Sequence, residues 1–144
     1  MPIKLGMEAK LYYKTGGVGG GGSWTLLTNV KDVTLSLEAG EAGVTTRANN
    51  GWRATVATLK EATVEWEMVW DPTDAGFTAI KDAFLGNDVI GLQVLDDATG
   101  GAGEGLQADF MITNFSRNEA LEEAITVSVS AKVTYSASAP TWLD

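Results

Sequence analysis

The sequence predicts an all-β single domain with one helix. Two observations carry that expectation: several segments alternate strictly between apolar and polar residues, and one central stretch switches to helical spacing. The longest alternation runs from Ile125 to Tyr135. Ile125, Val127, Val129, Ala131, Val133 and Tyr135 point one way, while Thr126, Ser128, Ser130, Lys132 and Thr134 point the other. A period of two over that length is an antiparallel strand with one face in a core and one in water. Thr63–Trp70 repeats the pattern, with Val64, Trp66, Met68 and Trp70 on the apolar face, and Asp32–Glu38 repeats it again. Weaker strand signals cover Ala9–Lys14, Trp24–Leu27, Arg53–Ala57, Val89–Leu95 and Leu106–Phe115.

The exception follows Trp70. Asp71 offers an N-cap, Pro72 suits a first helical position and Asp74 adds an acid to the first turn. Phe77, Ile80 and Phe84 then recur at helical spacing, and Gly86-Asn87 supplies a stop. The expected helix runs from about Thr73 to Leu85, its three apolar residues lying on the sheet.

One domain over residues 1–144 is expected, with long loops near 16–22, 39–51 and 96–105. Ten of the 17 glycines fall in Gly16–Gly22 and Gly100–Gly105. Both stretches have linker-like composition but separate strands of one domain, so hairpin loops are expected.

Composition narrows the function. Ten basic and 19 acidic residues give a net charge of −9, the wrong sign for wrapping nucleic acid through its phosphates. Cysteine and histidine are absent, which excludes disulfides, Cys/His zinc sites and nucleophile–histidine pairs. No apolar run reaches membrane-spanning length and no signal-peptide core follows Met1, so a soluble protein is expected. The charge is unevenly placed: residues 1–60 hold seven basic and four acidic side chains, residues 61–144 three and fifteen. Such asymmetry suits copies that join head to tail.

Candidate chemical motifs fail on context. Gly16–Gly22 lacks the Lys-Ser/Thr ending and following helix of a phosphate loop. The carboxylates in Asp96–Gly105 do not have the spacing of a calcium loop. Glu65 and Glu67 share a strand face at about 7 Å, a glycosidase-like separation, but lie on the wet side with nothing else marking a cleft. Trp66 and Trp70 belong to an apolar face rather than a sugar platform. No catalytic, cofactor-binding or metal-ligating residue is therefore nominated.

The segment from Glu38 to Trp52 says more. Its thirteen intervening residues lack clear periodicity and contain Arg47, and the segment ends on Trp52; arginine and tryptophan are common interface anchors. A strand Lys31–Leu37, a long connection holding Val44-Thr45-Thr46-Arg47 and Gly51-Trp52-Arg53, the run Leu59–Glu67, the Trp70-Asp71 step and a helix with Phe77 and Ala83 follow in order. That succession resembles the major tail (tail tube) proteins of long-tailed bacteriophages, from about Val30 to Leu95, with a compatible ending to Tyr135. The run Gly16–Gly22 matches no motif of that family.

The resemblance implies an antiparallel β-sandwich or half-barrel with a flanking helix. It also implies rings, hexameric by expectation, whose strands join around a lumen and which stack into a conduit for DNA ejection. The subunit would act in the virion tail, after assembly in the host cytoplasm, without catalysis, cofactor or membrane. Its partners would be other copies, a tape measure protein and a tail terminator, with DNA passing unbound. Subunit-interface candidates are Glu41, Val44, Thr45, Thr46, Arg47, Trp52 and Arg53, with Arg47 meeting acids of the later half. Lumen-lining candidates, chosen by alternation, are Glu65, Glu67, Ser128 and Ser130. A tube protein of a contractile tail or type VI-like secretion system is the alternative within the fold. A monomeric carbohydrate- or calcium-binding β-sandwich module is the alternative from another class.

Overall fold

The computed structural model describes residues 9–97, 103–119, 121–122 and 124–143. Its strands are β1 (Lys10–Thr15), β2 (Thr25–Leu26), β3 (Val30–Gly43), β4 (Thr55–Val69), β5 (Val89–Leu95), β6 (Gly105–Asn118), β7 (Thr126–Val133) and β8 (Thr141–Leu143). One helix, α1 (Ala75–Leu85), lies between β4 and β5. The strands form a single sheet in the order β2-β1-β5-β6-β7-β4-β3, with β8 joined to β6. Every pairing is antiparallel. The sheet curls as a half-barrel rather than splitting into a two-sheet sandwich.

Alternation decides which face is buried. Val64, Trp66 and Met68 of β4 join Val127, Val129 and Ala131 of β7 and Ala108, Phe110 and Ile112 of β6 in one core. The helix covers that face through Phe77, Ile80 and Ala83, all buried. Aromatic edges fix its seat: Phe77 meets Trp70 edge-on at 4.9 Å and lies 5.9 Å from Phe115, while Phe84 stacks on Phe115 at 6.0 Å. Phe77, Ile80 and Phe84 therefore face the sheet, as the spacing predicts.

Three boundaries correct the sequence-based expectation. The helix starts after Asp74, not Asp71, because the Asp74 carboxylate accepts from the Phe77 amide at 2.9 Å. Asp71 instead holds the preceding turn, accepting from the Thr73 amide and hydroxyl. The loop expected over 39–51 is shortened, since β3 continues to Gly43 opposite Thr55. And β7 stops at Val133, leaving Tyr135 outside the strand and 92% exposed.

The opposite face is divided. Along the row Lys14, Gly91 and Asp109 of β1, β5 and β6 it is covered by the Gly16–Gly22 loop. Gly17, in a left-handed conformation (φ +91°), lies against Asp109, where an added Cβ would stand 2.7 Å from the carboxylate. The Val18 amide donates to Asp109 at 2.6 Å, and Ser136 also donates to that carboxylate. Gly91 leaves room for Val18 and the Trp24 ring, both 3.1 Å from where its Cβ would be. The glycine-rich run is thus a fitted cover. Over β3, β4, β7 and the second half of β6 the same face is open.

Candidate assembly surfaces

The open face is built by register. Glu65 of β4 pairs with Ser130 of β7 on one side and Thr34 of β3 on the other, and Ser130 pairs with Asn114 of β6. One pleat further, Lys31, Glu67, Ser128 and Ser116 form a second row. The four lumen candidates chosen by alternation therefore stand together as neighbours across two strands. Glu38 and Glu61 extend the face, and Lys132 meets Glu61 at 3.4 Å. Four carboxylates stand against two ammonium groups, the rest being hydroxyls and amides. Exposed and high in dielectric, the Lys132–Glu61 pair contributes little to stability.

This four-strand portion has two unpaired edges among the described residues. The outer side of β3 has no neighbour, because β3 ends the sheet order. Beyond Met111, β6 loses β5, so Ile112–Asn118 is paired only on its β7 side. Long open edges are a liability for an isolated sheet. Here they are also antiparallel to each other, since β3, β4, β7 and β6 alternate in direction. A rotated copy can therefore set its β3 beside this β6 without breaking the antiparallel pattern.

The second surface is an arm. β4 meets β7 only from Thr63 onward, so Ala39–Gly43 and Thr55–Lys60 pair with each other alone. The tip between them is ordered by its own bonds. Val44 donates to Ala54 at 2.9 Å, Ala54 to the Thr45 hydroxyl at 3.0 Å, and Trp52 to Asn49 at 3.0 Å. Asn50 and Gly51 take left-handed conformations to close it. All seven interface candidates, Glu41, Val44, Thr45, Thr46, Arg47, Trp52 and Arg53, lie exposed on this arm. Trp52 is 79% and Leu59 86% exposed.

Sequence reasoning missed part of the arm. Val56 and Leu59 expose apolar side chains along it, and Leu37 does so at its base; Val56 and Leu59 fall on opposite faces of β4, so no alternation marked them. It also missed β8, whose Trp142 indole donates to Glu104 at 2.9 Å. The carboxylate loop considered for calcium lies in part outside the described residues. Its described end is a hairpin in which Asp96 accepts from the Glu104 amide. Among the described residues no group of three or more Asp or Glu could hold a metal ion.

A curled sheet with two matching open edges, a wet polar face and a projecting arm defines a class: the subunit of a β-assembly. The chain belongs to the phage tail tube protein family, which matches residues 9–137. No curated protein matches it by sequence. Its fold is similar to that of a chain in the tail of an empty gene transfer agent particle refined with C6 symmetry. That match has a TM-score of 0.77 at 18% identity and covers 99% of this chain and 100% of the other. It is also similar to the SPP1 tail tube, with TM-score 0.72, 19% identity and coverage of 92% and 76%. A chain of the six-fold symmetrised anti-feeding prophage baseplate shares the fold at TM-score 0.63 and 4% identity, with coverage of 99% and 97%.

Proposed function

We propose that this tail tube protein closes into six-membered rings, each copy setting β3 beside β6 of the next, and that the rings stack into a conduit for DNA. The observation that carries this reading is the pair of open edges of opposite direction flanking four strands with a polar face. Closure removes both edges at once. Six-fold symmetry is taken from the similar assemblies. Twenty-four strands about 4.8 Å apart, tilted as barrels require, give a backbone diameter of about 45–50 Å. Side chains from the wet face narrow this and still leave room for a nucleic-acid duplex.

Glu65, Glu67, Ser128 and Ser130 then line the lumen. Their excess negative charge repels phosphates close to the wall, with a reach of about 8 Å at physiological salt. DNA passes without adhering. The arm, with Glu41, Val44, Thr45, Thr46, Arg47, Trp52 and Arg53, reaches another copy and buries its exposed apolar residues there. A tape measure inside the tube and a terminator at its end are the further partners. The protein acts in the virion tail, assembled in the host cytoplasm, as a structural element rather than an enzyme.

Light scattering of the purified protein over a range of concentration and salt, with electron microscopy of the large fraction, tests this. Rings and tubes without added ligand are expected. A protein that stays monomeric throughout and binds sugar or calcium would overturn the reading in favour of a binding module.

A further inference from the structure

Resting on the tube reading above, we propose where the arm binds: its tip docks head to tail on a second copy, at the β6–β7 turn presenting Glu119, Leu121 and Glu122.

The two surfaces lie at opposite ends of the sheet. The tip leaves where β3 ends and β4 begins. The turn lies where β6 ends, and Asn118 and Val69 both pair with Thr126, so it adjoins the far end of β4. Fourteen residue steps of β4, from Thr55 to Val69, separate the two levels by about 46 Å. A knob at one end that fits a site at the other generates an open stack rather than a closed pair.

The chemistry is complementary. Residues 44–60 carry Arg47, Arg53 and Lys60 and no acid, around the exposed ring of Trp52. The turn exposes 99% of Leu121 between Glu119 and Glu122. Asp71 leaves the same end one residue after Trp70, whose amide donates to Ile125 at 2.8 Å. Hydrogen bonds from the Thr73 hydroxyl and amide hold the Asp71 carboxyl below the usual range, so it is charged at neutral pH. Of the cations near that end, Lys31 stands beside Glu67 on the wet face, and Arg117 bridges Glu119 at 3.3 Å and lies over the Trp70 ring. At the arm's own end, Asp96 and Glu104 are engaged within the chain. Tip against tip would set arginine on arginine, and turn against turn glutamate on glutamate. Tip on turn pairs opposite charges around two exposed apolar groups, the usual make-up of an interface anchor.

The test is charge exchange, with stacking read by electron microscopy and sedimentation. Arg47→Glu with Arg53→Glu, and separately Glu119→Lys with Glu122→Lys, are each expected to abolish stacked tubes. All four positions are exposed, and near-UV circular dichroism checks that each variant folds as wild type. The four-fold variant, with both surfaces reversed, is expected to stack again. Tubes that persist in the tip variant would overturn the proposal, as would a four-fold variant that stays unstacked. A wild-type protein forming neither rings nor tubes would instead overturn the tube reading itself. That outcome is distinct from rings that stack irrespective of these charges.

Discussion

Glu65 and Ser130 are cross-strand partners on the wet face of β4 and β7, and the next pair along the same two strands is Glu67 and Ser128. The face opposite them is filled by Trp66, Met68, Val127 and Val129 under the helix. One pleat therefore produces both a core and a hydrophilic wall, and the wall's charge is set independently of the fold.

That independence gives the first prediction. Replacing Glu65 and Glu67 by lysine leaves folding and assembly intact, because neither side chain is in the core. Tubes of the double variant should retain duplex DNA, with affinity falling steeply as salt rises, whereas wild-type tubes retain none. Filter binding over a salt series reads both.

The second prediction concerns the glycine-rich cover. Asp109 is 3% exposed and accepts from Val18 and Ser136. Asp109→Ala leaves these donors without their acceptor and should cost about 1–3 kcal/mol. Gly17→Ala should destabilise as well, since it adds a Cβ at a left-handed position 2.7 Å from that carboxylate. Thermal unfolding of both variants checks the ranking against Gly21→Ala, where nothing stands within 4 Å.

The helix seat yields a third. Phe77 is 1% exposed and touches Trp70 and Phe115. Phe77→Ala should cost about 3–5 kcal/mol in denaturant unfolding, the transfer and cavity penalties adding.

A fourth separates two neighbouring aspartates. Asp74→Ala removes the N-cap and should cost about 1 kcal/mol. Asp71→Ala should matter less, because its carboxylate serves an exposed turn. The lowered Asp71 pKa has a definite sign: its contribution is present above the unfolded-state pKa and lost as pH falls through the folded one. An NMR titration of the Asp71 side chain should place its midpoint below that of an unstructured aspartate.

What the sequence made legible was local. Alternation in β4 and β7 and the Phe77, Ile80, Phe84 spacing are recorded within single elements by the core they face. The arm was legible only as an aperiodic connection, because Ala39–Gly43 and Thr55–Lys60 face water on both sides and nothing imposes a pattern. The choice between Asp71 and Asp74 as cap was ambiguous, because each could satisfy an amide a few residues on. The fitted cover was illegible because Gly17 and Asp109 are distant in sequence and meet only through the sheet. Four lumen candidates emerged from alternation alone, while the open edges that flank them required the strand order.

The most direct test of the account is a helical reconstruction, by electron cryo-microscopy, of the tubes formed by the purified protein. Six copies per ring are expected, with β3 of one copy hydrogen-bonded antiparallel to the Ile112–Asn118 portion of β6 in the next, and Glu65 and Glu67 facing the lumen. Rings joined through other edges, or a wall in which those glutamates face outward, would contradict it.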